Sequence, residues 1–263
     1  MTRPFLFGTN FKMNQTPAES AAFFDALAET VAAPDGVQLF VIPPFTSLPA
    51  VAALDAAAKS GIWIGAQNMH WAADGAYTGE ISAAMLQALG VDLVLLGHAE
   101  RRRLFHETDQ DVNRKVLTAV ERGLRVLLCV GETAEERGYG VGGETVARQL
   151  TIGMHDLDPK HLPLLQIAYE PVWCIGAGSA AAHPSDVAPI VRLIRDVVGT
   201  RFGESGRAVP VLYGGSVDPA NAGGFVRLPD IDGLFVGRAA WTVDGFRATL
   251  DAALRARFGR GLG

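Results

Sequence analysis

Five places along the chain put reactive side chains directly after a short apolar run. Asn10 and Lys12 follow the first run, in Asn10-Phe11-Lys12-Met13-Asn14. His98 and Glu100 follow another, in Leu96-Gly97-His98-Ala99-Glu100-Arg101-Arg102. Glu170 closes a third, in Ala168-Tyr169-Glu170-Pro171-Val172-Trp173. Tyr213-Gly214-Gly215-Ser216 and Val236-Gly237-Arg238-Ala239 close two more. The set offers a cation, an imidazole, a carboxylate and two glycine turns. Imidazole and carboxylate are common proton-transfer groups. Glycine turns let backbone N–H groups approach an anion closely, and a helix N-terminus adds partial positive charge.

Each feature also has a plainer reading. A lysine after a strand is usually a solvated charge, and a lone histidine is usually structural. Glu170 is harder to explain so, because it directly follows an apolar run and Pro171 fixes the chain after it. A salt bridge is its competing account. Glycine turns after strands are often only turns. What weighs is that all five features fall at one end of one fold.

The elements that must position them alternate. Apolar runs of strand length are Phe5–Phe11, Leu39–Ile42, Ile62–Ala66, Leu93–Leu96, Val126–Val130, Leu165–Tyr169, Val209–Tyr213 and Gly233–Val236. Most are continuous, which suits strands buried on both faces of a parallel sheet. Thr16-Pro17-Ala18-Glu19 is a capping box that opens a helix to about Ala32. Thr46/Ser47 leads a helix to Lys59, Ser82–Leu89 is a short one, and Thr108 opens one ending near Arg122. Further helices are expected at Glu144–Met154, Ser185–Phe202, Asp218–Val226 and Val243–Phe258. Eight strand–helix pairs without a linker predict an α/β fold, a (β/α)8 TIM barrel in a single domain over residues 1–263. An open doubly wound sheet is the competing architecture. Barrels of this kind carry their sites at the carboxyl ends of the strands and often a phosphate after strands 7 and 8. Gly214-Gly215-Ser216 and Gly237-Arg238 stand there, and Gly176-Ala177-Gly178 is a third glycine turn able to fold over the same anion.

Composition narrows the partners. The chain is 49% hydrophobic and 19% charged, enough apolar surface for one large core. Its net charge of -5 has no basic stripe, which argues against nucleic acid or a membrane surface. No apolar window is long enough for a transmembrane helix, and no signal peptide is visible. Cys129 and Cys174 make neither a disulfide framework nor a metal quartet, and no His-Glu-x-x-His occurs, so no metal site is expected. Gly138-Tyr139-Gly140-Val141-Gly142-Gly143 matches a dinucleotide-binding pattern, but it does not directly follow a strand. A cytoplasmic globule is the expectation.

At these residues the sequence resembles the triosephosphate isomerase family over its whole length. Asn10–Asn14 resembles the family's opening, and Gly97–Arg102 its Gly-His-Ser-Glu-Arg-Arg. Ala168–Trp173 with Ile175-Gly176 resembles its base and lid hinge, and Leu212–Val217 its phosphate turn. Gly65-Ala66-Gln67-Asn68 and Tyr77–Ser82 resemble its dimer loop.

The resemblance implies interconversion of dihydroxyacetone phosphate and D-glyceraldehyde 3-phosphate through an enediolate, a step of glycolysis and gluconeogenesis. It implies Glu170 as base, neutral His98 as electrophile, Lys12 as neutralising cation, Asn10 as a hydrogen-bond donor and Glu100 as a carboxylate ordering Lys12. Gly176, Ser216, Gly237 and Arg238 are expected at the phosphate. Pro171, Val172 and Trp173 form the stiff hinge of a lid that continues through Cys174, Ile175 and Gly178. No cofactor is implied. The family forms homodimers, so the loop 67–79, with Gln67, Trp71, Tyr77 and Thr78, is expected against a partner. A loop packed on its own barrel is the competing reading.

Several residues depart from the family pattern. Ala99 stands where serine is usual, Gly237-Arg238-Ala239-Ala240-Trp241 replaces Gly-Gly-Ala-Ser, the distal hinge Ser179–His183 is atypical, and the dimer loop has His70-Trp71. These departures resemble a bacterial branch that includes isomerases of a four-carbon ketose phosphate (L-erythrulose 1-phosphate to D-erythrulose 4-phosphate). A non-catalytic sugar-phosphate-binding barrel is a further alternative, against which Lys12, His98 and Glu170 argue.

Overall fold

The eight apolar runs become β1 (Phe5–Asn10), β2 (Val37–Ile42), β3 (Trp63–Ala66), β4 (Leu93–Leu96), β5 (Arg125–Val130), β6 (Leu165–Tyr169), β7 (Val211–Tyr213) and β8 (Gly233–Val236). Each pairs in parallel with the next, and β8 pairs back onto β1 with Thr9 opposite Val236. The sheet is therefore a closed barrel, and the open alternative is excluded. The computed structural model describes residues 3–175, 181–259 and 261–262.

Closure explains the continuous runs. Alternate residues of a strand point to opposite faces. In β4, Leu93 and Leu95 enter the barrel interior with Phe40, Leu127 and Leu212, while Val94 and Leu96 join the outer core. Both faces are buried, each such side chain contributing about 1.5–3 kcal/mol.

Between the strands lie α1 (Pro17–Thr30), α2 (Leu48–Ala52), α3 (Asp55–Lys59), α4 (Ala83–Ala88), α5 (Ala99–Leu104), α6 (Asp109–Glu121), α7 (Ala134–Gly138), α8 (Gly142–Gly153), α9 (Pro184–Arg207), α10 (Ala222–Val226) and α11 (Val243–Phe258). Three expectations need correction. The segment from Thr46 to Lys59 is not one helix: Leu54 is extended (φ −74°, ψ 138°) and packs on the core, separating α2 from α3. The stretch from Asp218 holds a capping turn before α10, with Asp218 Oδ1 accepting the Asn221 N–H at 3.0 Å. α9 outruns Phe202, but only across a kink at Gly203 (φ 61°). The sequence reading also omits α7, although Thr133 and Glu136 form its capping box. No helix among the described residues is long and apolar enough to cross a membrane.

Candidate active site

A cavity of about 460 Å³ opens at the carboxyl end of the strands, bordered by Asn10, Lys12, His98, Glu100 and Glu170 and by the turns after β7 and β8. Asn10, Lys12, His98, Glu100, Glu170, Ser216, Gly237 and Arg238 all border this one cavity.

β1 delivers Asn10, which is nearly buried. Its Oδ1 accepts the Lys12 backbone N–H at 2.8 Å. Lys12 has left-handed backbone, φ 52°, which costs a non-glycine residue about 1–2 kcal/mol. Gln67 Nε2 steadies this bend, donating to Asn10 Oδ1 at 2.9 Å and to the Lys12 carbonyl at 2.7 Å. Gln67 thus points inward to the site. Lys12 Nζ pairs with Glu100 Oε1 at 2.7 Å. Burial pushes the Glu100 carboxyl up, but the Lys12 hydrogen bond and charge, with His98 and Arg103, hold it below its ordinary value.

His98 caps α5, its Nδ1 accepting the Glu100 backbone N–H at 3.2 Å. An accepting nitrogen carries its lone pair, so the ring proton sits on Nε2. That nitrogen faces Glu170 Oε1 at 3.3 Å.

Glu170 directly follows β6 and is 2% exposed. Its Oε2 accepts the Ala99 N–H at a long 3.5 Å, and Ala99 offers no hydroxyl to shorten that hold. Neighbouring backbone can come close because two residues lack a Cβ. At Gly214 a Cβ would lie 3.0 Å from Glu170 Cγ, and at Gly131 it would lie 1.9 Å from the Glu170 carbonyl oxygen. Cys129 on β5 sits beside the carboxylate. Burial first, then the Glu170 charge, raises its thiol well above the ordinary value, so it stays protonated and unreactive.

Gly214, Gly215, Ser216, Gly237 and Arg238 line the adjoining wall. Arg238 is exposed, with no ion pair or side-chain hydrogen bond among the described residues. Trp241 adds an aromatic face to the same wall. Among the described residues no group of three or more His, Cys, Asp or Glu is placed to hold a metal ion.

The segment expected as a lid hinge begins at buried Pro171 and a short turn, Val172–Cys174. Trp173 Nε1 donates to Glu132 Oε1 at 2.7 Å, and the Tyr169 hydroxyl donates to the same carboxylate at 3.0 Å. Burial, then Glu132 itself, raises the Tyr169 phenol, which keeps it a donor. The Arg137 guanidinium lies 3.8 Å over the Trp173 ring. Cys174 is buried and Ile175 reaches the cavity. Gly176 and Gly178 lie outside the described residues. Glu132 is the residue that sequence reasoning missed. Its signal was the one that marked Glu170, an acid just past a buried strand, in Val130-Gly131-Glu132.

The loop 67–79 is buried or half-buried through residue 72 and exposed from residue 73 onward. Met69 is fully buried, and Trp71 is half-buried under the Arg114 guanidinium at 4.3 Å. Tyr77 and Thr78 are exposed.

The family model described as triosephosphate isomerase matches residues 5–253. A protein named triosephosphate isomerase, from Carboxydothermus hydrogenoformans, is 43% identical over 97% of this chain and 100% of its own. One named L-erythrulose-1-phosphate isomerase, from Rhizobium etli, is 45% identical over 91% of this chain and 88% of its own. The crystal structure of triosephosphate isomerase from Bartonella henselae matches with a TM-score of 0.86 at 34% identity, covering 95% of this chain and 99% of that one.

Proposed function

The chain belongs to the triosephosphate isomerase family and is an isomerase of that type, and from that premise we propose that it interconverts dihydroxyacetone phosphate and D-glyceraldehyde 3-phosphate. The carrying observation is the meeting of Lys12, His98 and Glu170 in one cavity, with His98 Nε2 and Glu170 Oε1 at 3.3 Å. Glu170 turns from His98 to the substrate and moves a proton between adjacent carbons. The His98 Nε2–H donates to the substrate oxygens as the enediolate forms, and Lys12 neutralises the charge that develops there. Asn10 donates through its amide, and Glu100 holds Lys12. The phosphate lies at Ser216, Gly237 and Arg238. Excluding water there keeps the enediolate from expelling its phosphate.

A second reading is supported by Arg238 and Trp241 on the phosphate wall and by the Rhizobium etli relative. It is isomerisation of a four-carbon ketose phosphate by the same one-base chemistry. Measuring kcat/KM for glyceraldehyde 3-phosphate beside L-erythrulose 1-phosphate decides. A preference for the tetrulose above about tenfold, or about 1.4 kcal/mol, ends the first reading.

We also infer a homodimer working in the cytoplasm, in glycolysis and gluconeogenesis, with residues 1–263 as a single domain. Met13 is 96% exposed and Phe105 65%, and Leu104 at the end of α5 and Tyr77 are exposed too, in segments that follow strands at the same end of the barrel as the site. Large apolar side chains exposed together call for a partner surface. Light scattering that returned a monomer would remove this inference.

A further inference from the structure

Residues of β1 alternate in the neighbour they bond. The Leu6 N–H donates to Asp232 O, on the β8 side, and the Phe11 N–H donates to Ile42 O, on the β2 side. Asn10 therefore turns its carbonyl toward β8. But β8 ends at Val236, and Gly237 leads the chain away into the turn Arg238–Ala240. No strand backbone fills that last rung. The Trp241 side chain fills it, its Nε1–H donating to Asn10 O at 2.9 Å. The Trp241 carbonyl accepts from Gln15 Nε2 at 3.2 Å, a second tie to the loop after β1.

We propose that Trp241 is a positioning residue for Asn10 and Lys12, which rests on the isomerase reading above. Its indole N–H holds the Asn10 peptide, Asn10 Oδ1 holds the Lys12 N–H, and that bond keeps Lys12 in its left-handed backbone. A carbonyl deprived of its donor at this partly buried rim turns toward water. The Asn10 amide then shifts, the Lys12 bend relaxes, and Nζ leaves its place at the cavity. The side chain thus acts on the reaction without having to touch the reacting atoms.

Trp241→Phe keeps a ring and removes the N–H. The expected result is a fall of about tenfold in kcat/KM, carried mostly by kcat, because a misplaced lysine loses transition-state contact. In an Asn10→Ala background the same change is expected to cost less than about twofold, since the path runs through Asn10. Near wild-type kinetics in Trp241→Phe, or a full tenfold loss on top of Asn10→Ala, overturns the proposal. Amide hydrogen exchange at Lys12, read without substrate, separates this inference from the reading it rests on. If the wild type turns over neither sugar phosphate, the isomerase reading fails. Faster Lys12 exchange in the variant still supports the positioning role, and unchanged exchange refutes it. Should Trp241→Phe not fold, benzothienylalanine at position 241, with sulfur in place of the N–H, carries the same three measurements.

Discussion

Glu170 Oε1 and His98 Nε2 stand 3.3 Å apart, with both side chains almost wholly out of solvent. They come from β6 and from the turn after β4, so β5 runs between their strands and Cys129 lies beneath the carboxylate. A base and a proton donor held this close are poised for a substrate that enters between them and bonds to both. Replacing Glu170 with Gln keeps the shape and removes the base. We expect kcat to fall at least about 10²-fold, in line with general-base catalysis. Steady-state kinetics with an unchanged thermal midpoint checks this, and near-normal turnover removes Glu170 from its role.

Gly131 lies against the backbone of the same residue. A Cβ there would meet the Glu170 carbonyl oxygen at 1.9 Å, and β5 and β6 pair immediately alongside, with Val130 opposite Tyr169. Neither backbone can withdraw without breaking that ladder. Gly131→Ala is therefore expected to destabilise the fold by roughly 3 kcal/mol. Urea unfolding measures it; a variant as stable as the wild type contradicts the packing described.

The Lys12–Glu100 pair sets a pH dependence. Glu100 titrates below its ordinary value of 4.5 in the folded chain. A lowered folded pKa contributes stability that is present above the unfolded pKa and lost as pH falls through the folded one. The stability difference between wild type and Glu100→Gln should be flat from about pH 6 to about pH 8 and shrink below 4.5. Unfolding curves taken across that range test the sign. A difference that grew on acidification would place Glu100 on the other side of its ordinary value.

Trp173 and Tyr169 both donate to Glu132, at the foot of the proposed hinge. Trp173→Phe removes one of the two donors from a buried carboxylate, at an expected cost of about 1–3 kcal/mol. A looser hinge admits water, so more inorganic phosphate should be released per turnover. A phosphate assay run beside the isomerase assay reads this directly, and unchanged partitioning separates the Glu132 contact from lid closure.

The barrel was legible because its strands are buried on both faces, which makes them continuous apolar runs such as Leu93–Leu96. Lys12, His98 and Glu170 were legible because a polar residue after such a run stands on the functional rim. Glu132 obeys the same rule, yet nothing local tells an acid that braces a hinge from an acid in solvent. The break at Leu54 depends on where the core lies, which a helical pattern does not encode. The inward turn of Gln67 follows from the left-handed backbone at Lys12, and the sequence carries no trace of that conformation. The bond from Trp241 to Asn10 has no local pattern, because its partners are 231 residues apart.

That separation has a meaning in time. Ribosomes add about 5–20 residues per second, so on the order of ten to fifty seconds pass between the making of Asn10 and of Trp241. Through nearly all of that interval β1 lacks the β8 neighbour that closes the barrel. Lys12 is among the first residues synthesised, and its working shape is among the last to form. A nascent chain interrupted before Trp241 carries Lys12, His98 and Glu170 but leaves the Asn10 carbonyl without its donor.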